Sequence, residues 1–144
     1  MNILSEDEIE QMALQTLQVQ GYEIINGATI ERPYNEVVLT QRLQNAINTI
    51  NPTIPSDIKA EALRQVSRMP STTLLGNNEA FHKMLTEGVD VKGREGEQIK
   101  TFKVWLMDFE NPTNNDFAAV NQFTIVENHN NKRPDVIIFV NGLP

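Results

Sequence analysis

The sequence contains no cysteine and only two histidines. The absence of thiols excludes disulfides, cysteine-ligated zinc, iron–sulfur clusters and thiol catalysis. Two histidines leave little for a histidine-based metal site. Any bound metal ion should therefore be a hard cation held by carboxylates and water, which points to Mg²⁺ or Mn²⁺ rather than to zinc.

Long hydrophobic runs are missing as well. No stretch approaches the ~18 consecutive apolar residues that a membrane span needs, and residues 1–6 do not place a basic segment before an apolar one, as a secretion signal does. The chain is 40% hydrophobic and 22% charged, and its 144 residues match one average domain. We expect a cytoplasmic globular protein that has no contact with membranes.

Basic residues are outnumbered by acidic ones, 12 against 19, which gives a net charge of −7. Affinity for a DNA duplex comes largely from Lys and Arg that neutralise phosphates, so this charge opposes DNA binding by the chain alone. Other domains or subunits would have to bring a nucleic acid to it. Most of the carboxylates are expected to form a solubilising surface, and some of them to belong to a metal site.

The first half of the chain is predicted to be mainly helical. Ser5 and Glu8 have the spacing of a capping box, and apolar residues at helical spacing follow, so we expect a first helix over residues 6–20 that stops at Gly21. A short strand is predicted at 22–25. Three more helices are expected, one ending at Asn51-Pro52, one running from Pro55 to Pro70, and one following Asn77-Asn78 and ending at Gly88.

The second half of the chain is predicted to form strands from Val89 onwards. After a turn marked by Gly93 and Gly96, the expected strands are 99–109, 117–126 and 135–140, separated by Asn-rich polar runs. Helices followed by a mixed, mostly antiparallel sheet define an α/β protein of the α+β kind. We expect residues 1–144 to form a single domain with no internal boundary.

The dipeptide Asn141-Gly142 predicts a two-residue type I′ hairpin after the last strand, because both central residues of that turn need positive φ. Asp135 lies six residues before Asn141. Its cross-strand neighbour should therefore fall near position ~148, past the end of the chain. We expect the strand that faces Asp135 to be missing from this chain.

Asp135 is the strongest candidate for a catalytic carboxylate. It follows Arg133-Pro134 and stands where an apolar strand begins, so proline fixes the direction from which the chain arrives. An isolated aspartate in such a place is usually a turn former. In phosphodiester hydrolysis a metal ion polarises the phosphate and activates the attacking water, and carboxylates from two neighbouring strands are an efficient way to hold it. An aspartate, a hairpin and a Glu-x-Lys on the returning strand supply that arrangement, with the lysine to stabilise charge.

Other polar residues have plainer explanations. Glu10 lies on the first helix, where carboxylates are more often solvated than ligands. Asp108 ends a strand before Asn-Pro and is expected to cap the turn. Lys132 and Arg133 are the basic pair beside Asp135 and could touch a phosphate, although such pairs are usually solvated strand edges. The aromatic residues of the strand region are expected in the core; they are Phe102, Trp105 and Phe109.

Several segments together resemble one protein family. They are residues 106–117, Val120-Asn121-Gln122-Phe123, Arg133-Pro134-Asp135 and residues 139–144, with a weaker likeness at Ile9-Glu10 and Gln20-Gly21-Tyr22. Over essentially its whole length the chain resembles the amino-terminal region of the restriction (R) subunit of type I restriction-modification enzymes. The resemblance implies a nuclease of the PD-(D/E)xK class with an incomplete restriction-endonuclease-like core.

By that resemblance, Asp135 is the first Mg²⁺-binding carboxylate and Glu10 is an auxiliary catalytic residue. The Glu-x-Lys motif is expected beyond Pro144, so the chain alone should be inactive. The complete subunit is expected to cut unmodified double-stranded DNA after ATP-dependent translocation, with modification (M) and specificity (S) subunits as partners. The alternative is a non-catalytic docking module that contacts the motor domain or the modification subunit.

Overall fold

The computed structural model describes residues 3–68 and 74–144. In these residues helices precede most of the strands, which confirms the α+β class. The elements in chain order are α1 (Glu6–Val19), β1 (Glu23–Asn26), α2 (Thr40–Ile50), α3 (Ser56–Ser67), α4 (Leu74–Glu87), β2 (Val89–Glu95), β3 (Gln98–Val104), β4 (Phe117–Asn121), β5 (Ile125–Glu127), β6 (Asn130–Lys132) and β7 (Val136–Val140). Short 3₁₀ turns occupy Gly27–Thr29 and Pro112–Asn114. Within the described residues, no helix is both long and apolar enough to cross a bilayer.

The chain divides into two compact units. One consists of Met1–Leu39 with Asp116–Pro144, and the other of Thr40–Asn115. We call them the terminal unit and the central unit. The organisation as a single domain, expected from the length, stays a prediction.

The terminal unit is built on a three-stranded sheet in the order β1-β4-β7. β1 runs parallel to β4, and β7 runs antiparallel to it, with Asn121 opposite both Asn26 and Val136. The sheet is mixed, as expected. A buried hydrophobic cluster of this unit contains Leu39, Ala118, Val120, Phe123 and Phe139.

Helix α1 begins with the predicted capping box. The backbone N–H of Glu8 donates to Ser5 Oγ at 3.2 Å, and Ser5 N–H donates to Glu8 Oε2 at 2.7 Å. The bond from Ser5 N–H, and then the one from the Ser5 hydroxyl to the same carboxylate oxygen, hold the pKa of Glu8 below its ordinary value. The helix ends at Val19, and Gly21 follows at a φ of +99°, so the predicted position of the first helix is confirmed.

The central unit packs α3 against the antiparallel hairpin of β2 and β3. Ile58 of α3 lies so close to Gly93 of β2 that an added Cβ would stand 2.2 Å from Ile58 Cδ1. A buried amide joins helix α2 to the segment after β3. Asn51 Nδ2 donates to the carbonyls of Ile47 and Trp105, at 2.9 and 2.8 Å, and Asn51 Oδ1 accepts from Trp105 N–H at 2.8 Å.

Some predicted boundaries are wrong. Helix α4 already begins at Leu74, because asparagine in a helix interior costs only about 0.7 kcal/mol against alanine and does not end it. The expected strand 117–126 is interrupted at Gln122, which has a φ of +55°. The expected end of the third helix at Pro70 lies outside the described residues.

The strand predicted at 99–109 is also shorter, since β3 ends at Val104. Phe102 is buried, as expected, but Trp105 and Phe109 are 39% and 60% exposed. The core interpretation is therefore wrong for these two aromatic residues. They follow the end of the strand, where Leu106 takes the buried position.

Candidate active site

Asp135 lies immediately before β7, at the end of the sheet where β4 finishes. Because Asn121 pairs with Val136 in the antiparallel register, the next residues outward are Gln122 on one chain segment and Asp135 on the other. Asp135 is exposed. The antiparallel pairing thus brings the end of β4 beside the start of β7, where the candidate carboxylate stands.

Glu10 is the second candidate, and the structure places it beside the same end of the sheet. It is half-buried in α1, and its Oε1 accepts a hydrogen bond from Asn121 Nδ2 at 3.2 Å. The helix turn that carries Glu10 is thereby joined to the last residue of β4. The expectation that Glu10 is an ordinary solvated helix residue does not describe this environment.

Glu10 and Asp135 line one pocket of about 200 Å³. The other lining residues are Glu6, Asp7, Gln122, Arg133 and Pro134. Four carboxylates and one guanidinium therefore surround this space, a balance that favours a cation. Arg133 is the member of the predicted basic pair that reaches the pocket; Lys132 lies in β6, paired with Ile125.

The donor atoms of this pocket suit a hard divalent cation. Mg²⁺ is usually held by one or two carboxylates while several waters and substrate oxygens complete its octahedron, and the pocket offers carboxylates with no sulfur or imidazole. Among the described residues, no group of three or more His, Cys, Asp or Glu side chains is close enough to hold a metal ion by itself. The chain's own contribution would therefore be a partial ligand set.

The main chain next to the pocket is tightly packed. A Cβ on Gly27 would stand 2.8 Å from the carbonyl oxygens of Asn121 and Gln122 and 2.9 Å from Phe123 Cα. Gln122 has a positive φ, which turns the chain out of β4. The end of β4 is therefore closely packed against Gly27, and the chain turns away from the strand at Gln122.

The turn after β7 has the predicted geometry. Asn141 and Gly142 have φ angles of +54° and +77°, and Val140 and Leu143 exchange two backbone hydrogen bonds of 2.9 and 3.0 Å. Asn141 N–H donates to the carbonyl of Asp116 on the opposite side of β7. The two-residue hairpin is confirmed, and it turns the chain towards the edge of β7 that faces away from β4.

Three charged residues outside the pocket, Asp108, Lys100 and Lys103, form hydrogen bonds or ion pairs with other partners. Asp108 caps its turn as expected: Oδ1 accepts from the N–H groups of Glu110 and Asn111 at 3.1 and 2.8 Å, and Oδ2 accepts from Asn114 Nδ2 at 2.9 Å. The hydrogen bonds from Asn111 and then Asn114 lower the pKa of Asp108. Lys100 and Lys103 form ion pairs with Glu95 and Asp90.

Two residues at this site, Asn121 and Gln122, were not predicted from the sequence. Both belong to the segment Val120-Asn121-Gln122-Phe123, one of those that carry the family resemblance. A signal was present in the pattern, since two amides directly after the apolar run 117–120 mark the end of a buried strand.

Known proteins match almost the whole of this chain. The family model described as "Type I restriction enzyme R protein N terminus" matches residues 3–144. The "Type I restriction enzyme HindI endonuclease subunit" of Haemophilus influenzae is 35% identical over 153 residues, which cover 99% of this chain and 14% of the relative. The "Putative type I restriction enzyme MjaIXP endonuclease subunit" of Methanocaldococcus jannaschii is 32% identical over 151 residues, 98% of this chain and 14% of the relative.

The chain therefore spans about 14% of the length of these two relatives. The family match nevertheless covers every described residue, including both candidate carboxylates and the hairpin after β7. The chain belongs to the family of type I restriction enzyme R protein amino-terminal regions.

Proposed function

We propose that this chain carries the first part of a Mg²⁺-dependent nuclease site of the PD-(D/E)xK class, with Asp135 as the metal-binding carboxylate and Glu10 as an auxiliary. The observation that carries the proposal is that Asp135 and Glu10, 125 positions apart in the sequence, line one acidic pocket at the end of β4 and β7. Membership of a family whose relatives are named endonuclease subunits supports it.

The residues of this chain would hold and orient the metal ion and a phosphate oxygen, and they would not form the complete catalytic site. When bound, the metal ion would polarise the scissile phosphate and lower the pKa of the attacking water. Asp135 would supply a ligand from the start of β7, and Glu10 a second oxygen from α1. Arg133, on the same pocket wall, has the charge and the fork geometry to contact a phosphate oxygen.

The remaining groups of the site would come from a strand paired with β7. In the sheet of described residues β7 is an edge strand, and the hairpin at Asn141-Gly142 turns the chain towards its open edge. Continuing the register of Val140 with Leu143, a partner of Asp135 falls at position ~148. We place the Glu-x-Lys pair there, and we expect the 144-residue chain alone not to cleave DNA.

The activity of the whole subunit is part of the same proposal. It would cut unmodified double-stranded DNA as a type I site-specific deoxyribonuclease, after translocation driven by ATP bound in a downstream motor. Modification and specificity subunits would be its partners. The net charge of −7 fits a division of labour in which other parts of the complex hold the DNA.

The test is the Asp135→Asn variant of the full-length subunit, assembled with its partners. We expect DNA cleavage to fall by roughly 100-fold or more, the scale of losing one group that stabilises the transition state, while ATPase activity stays unchanged. Asp57→Asn, an exposed aspartate at the start of α3, is the matched control and should cleave normally. Cleavage retained in Asp135→Asn would reject the nuclease site and favour a docking module.

A further inference from the structure

The side chain of Asn121 is the link between the candidate site and the end of the sheet. It is the last residue of β4, paired with Asn26 on β1 and with Val136 on β7. From this central position its Nδ2 donates to Glu10 Oε1 at 3.2 Å across 111 positions of sequence. The bond therefore joins the carboxylate of Glu10 in α1 to β4, the strand that lies between β1 and β7.

The backbone under Asn121 has little freedom to move. Its carbonyl oxygen is 2.8 Å from where a Gly27 Cβ would be, and the following residues are Gln122, at a positive φ, and the fully buried Phe123. The side chain of Asn121 thus reaches Glu10 from a rigid base. A donor fixed in this way can restrict the rotamer of its acceptor.

The hydrogen bond occupies one of the two oxygen atoms of Glu10. A carboxylate has room for about four acceptor contacts, so the bond to Asn121 leaves Oε2 available to a cation in the pocket that Glu10 lines with Asp135. An amide donor is neutral, and it orients a carboxylate without competing for it as a lysine or an arginine would.

We propose that Asn121 is a positioning residue that holds the carboxylate of Glu10 in the orientation required to bind a divalent cation together with Asp135. This inference rests on the proposed nuclease function and goes beyond it, because it assigns a role to a residue with no place in the metal's own ligand set. Groups that orient a ligand typically change metal affinity by 10- to 100-fold when they are removed.

The experiment uses the full-length subunit and measures the dissociation constant for Mn²⁺ by electron paramagnetic resonance, alongside the rate of DNA cleavage. Asn121→Ala is expected to weaken Mn²⁺ binding by about tenfold and to slow cleavage most at low metal concentration. Asn131→Ala, an exposed asparagine of β6, is the matched control and should change neither quantity.

A double-mutant cycle separates positioning from general support of the fold. If Asn121 acts through Glu10, the variant Glu10→Ala/Asn121→Ala should bind Mn²⁺ no more weakly than Glu10→Ala alone. Additive losses of affinity, or an Asn121→Ala variant with wild-type affinity, would overturn the proposal. So would a Glu10→Ala variant that binds Mn²⁺ normally.

Cleavage by the Asp135→Asn variant distinguishes failure of the positioning role from failure of the proposed nuclease function. Lost cleavage in Asp135→Asn with additive effects at Asn121 and Glu10 would reject the positioning role alone. Retained cleavage in Asp135→Asn would reject the nuclease site, and with it the role of Asn121.

Discussion

The guanidinium carbon of Arg32 lies 3.5 Å from the centre of the Phe123 ring, within the terminal unit. The same guanidinium donates to the carbonyl oxygens of Pro33, Glu36 and Thr124. Burial lowers the pKa of Arg32, and the nearby Tyr34 and Glu36 oppose that change. One planar cation thus connects the loop after β1 to the segment that follows β4.

Replacing Arg32 by lysine should destabilise the protein although the charge is kept. A lysine ammonium lacks the planar fork that stacks on a ring while it donates in several directions. We expect the free energy of unfolding to fall by about 2 kcal/mol, from a lost cation–π contact and charged hydrogen bonds. Urea denaturation measures this loss, and Arg94→Lys, at an exposed position of β2, should stay within ~0.5 kcal/mol of the wild type. Equal stabilities of the two variants would contradict this role.

Adding one methyl group at Gly27 should also destabilise the terminal unit. A Cβ there would meet two backbone carbonyl oxygens at 2.8 Å, and backbone cannot move aside as a flexible side chain can. We expect Gly27→Ala to lower the free energy of unfolding by about 3 kcal/mol, the upper range for overpacking. Gly21→Ala is the comparison, since it meets nothing within 4 Å and pays only for its positive φ, about 1 kcal/mol. A smaller loss at Gly27 than at Gly21 would show that the close approach relaxes.

Local chemistry explains which features the sequence could predict. The capping box at Ser5 and Glu8 and the turn at Asn141-Gly142 depend on residues within a few positions of each other, and both were found as expected. The parallel pairing of β1 with β4 brings Ile24 to Ala119, and no nearby residue encodes such a contact. For the same reason the bond between Asn121 and Glu10 was not foreseen, whereas Asp135 was a candidate because a proline and a turn mark it locally.

The bridging amide of Asn51 should be important for the central unit. It is 4% exposed and forms three hydrogen bonds, to Ile47 and to both backbone groups of Trp105. Asn51→Ala would leave the N–H of Trp105 without this acceptor, so we expect a loss of about 2 kcal/mol in the free energy of unfolding. Asn48→Ala, an exposed asparagine of the preceding helix α2, should be neutral or slightly stabilising because alanine favours helix. Similar effects of the two variants in chemical denaturation would argue against the bridge.

The contribution of Asp108 to stability should depend on pH. Its pKa in the folded protein is lowered below the ordinary value of 3.8, first by the bond from Asn111 N–H and then by that from Asn114. A lowered pKa means that the ionised form is favoured by folding, so the stabilisation is complete above about pH 5 and is lost as the pH falls through the folded-state pKa. Asp108→Ala should therefore be less stable than the wild type at pH 7, and the difference should shrink towards pH 2. Glu110→Ala removes a neighbouring exposed carboxylate as a control; an Asp108 difference that is constant with pH would contradict the argument.

The hairpin after β7 should depend on the side chain of Asn141 as well as on its backbone angle. Asn141 is fully buried, and its Oδ1 accepts from Asp116 N–H at 2.7 Å while its φ is +54°. Asn141→Gly keeps the angle but loses the side-chain bond, so it should lower the free energy of unfolding by about 1 to 2 kcal/mol. Asn141→Ala also loses the side-chain bond, and its Cβ disfavours the left-handed backbone angle. The loss in the free energy of unfolding should therefore be about 1 kcal/mol larger than for Asn141→Gly.

Asn128 provides the matched comparison for that hairpin. It has a similar φ of +50° in the turn between β5 and β6, but it is exposed. Asn128→Gly should be nearly neutral, because glycine accepts the angle and no buried bond is lost. If the turn at Asn141 also directs the following chain onto the edge of β7, cleavage by the full-length subunit should fall in the order wild type, Asn141→Gly, Asn141→Ala. Cleavage is measured below the unfolding temperature of the least stable variant. Equal rates for all three proteins would show that the turn does not affect assembly of the site.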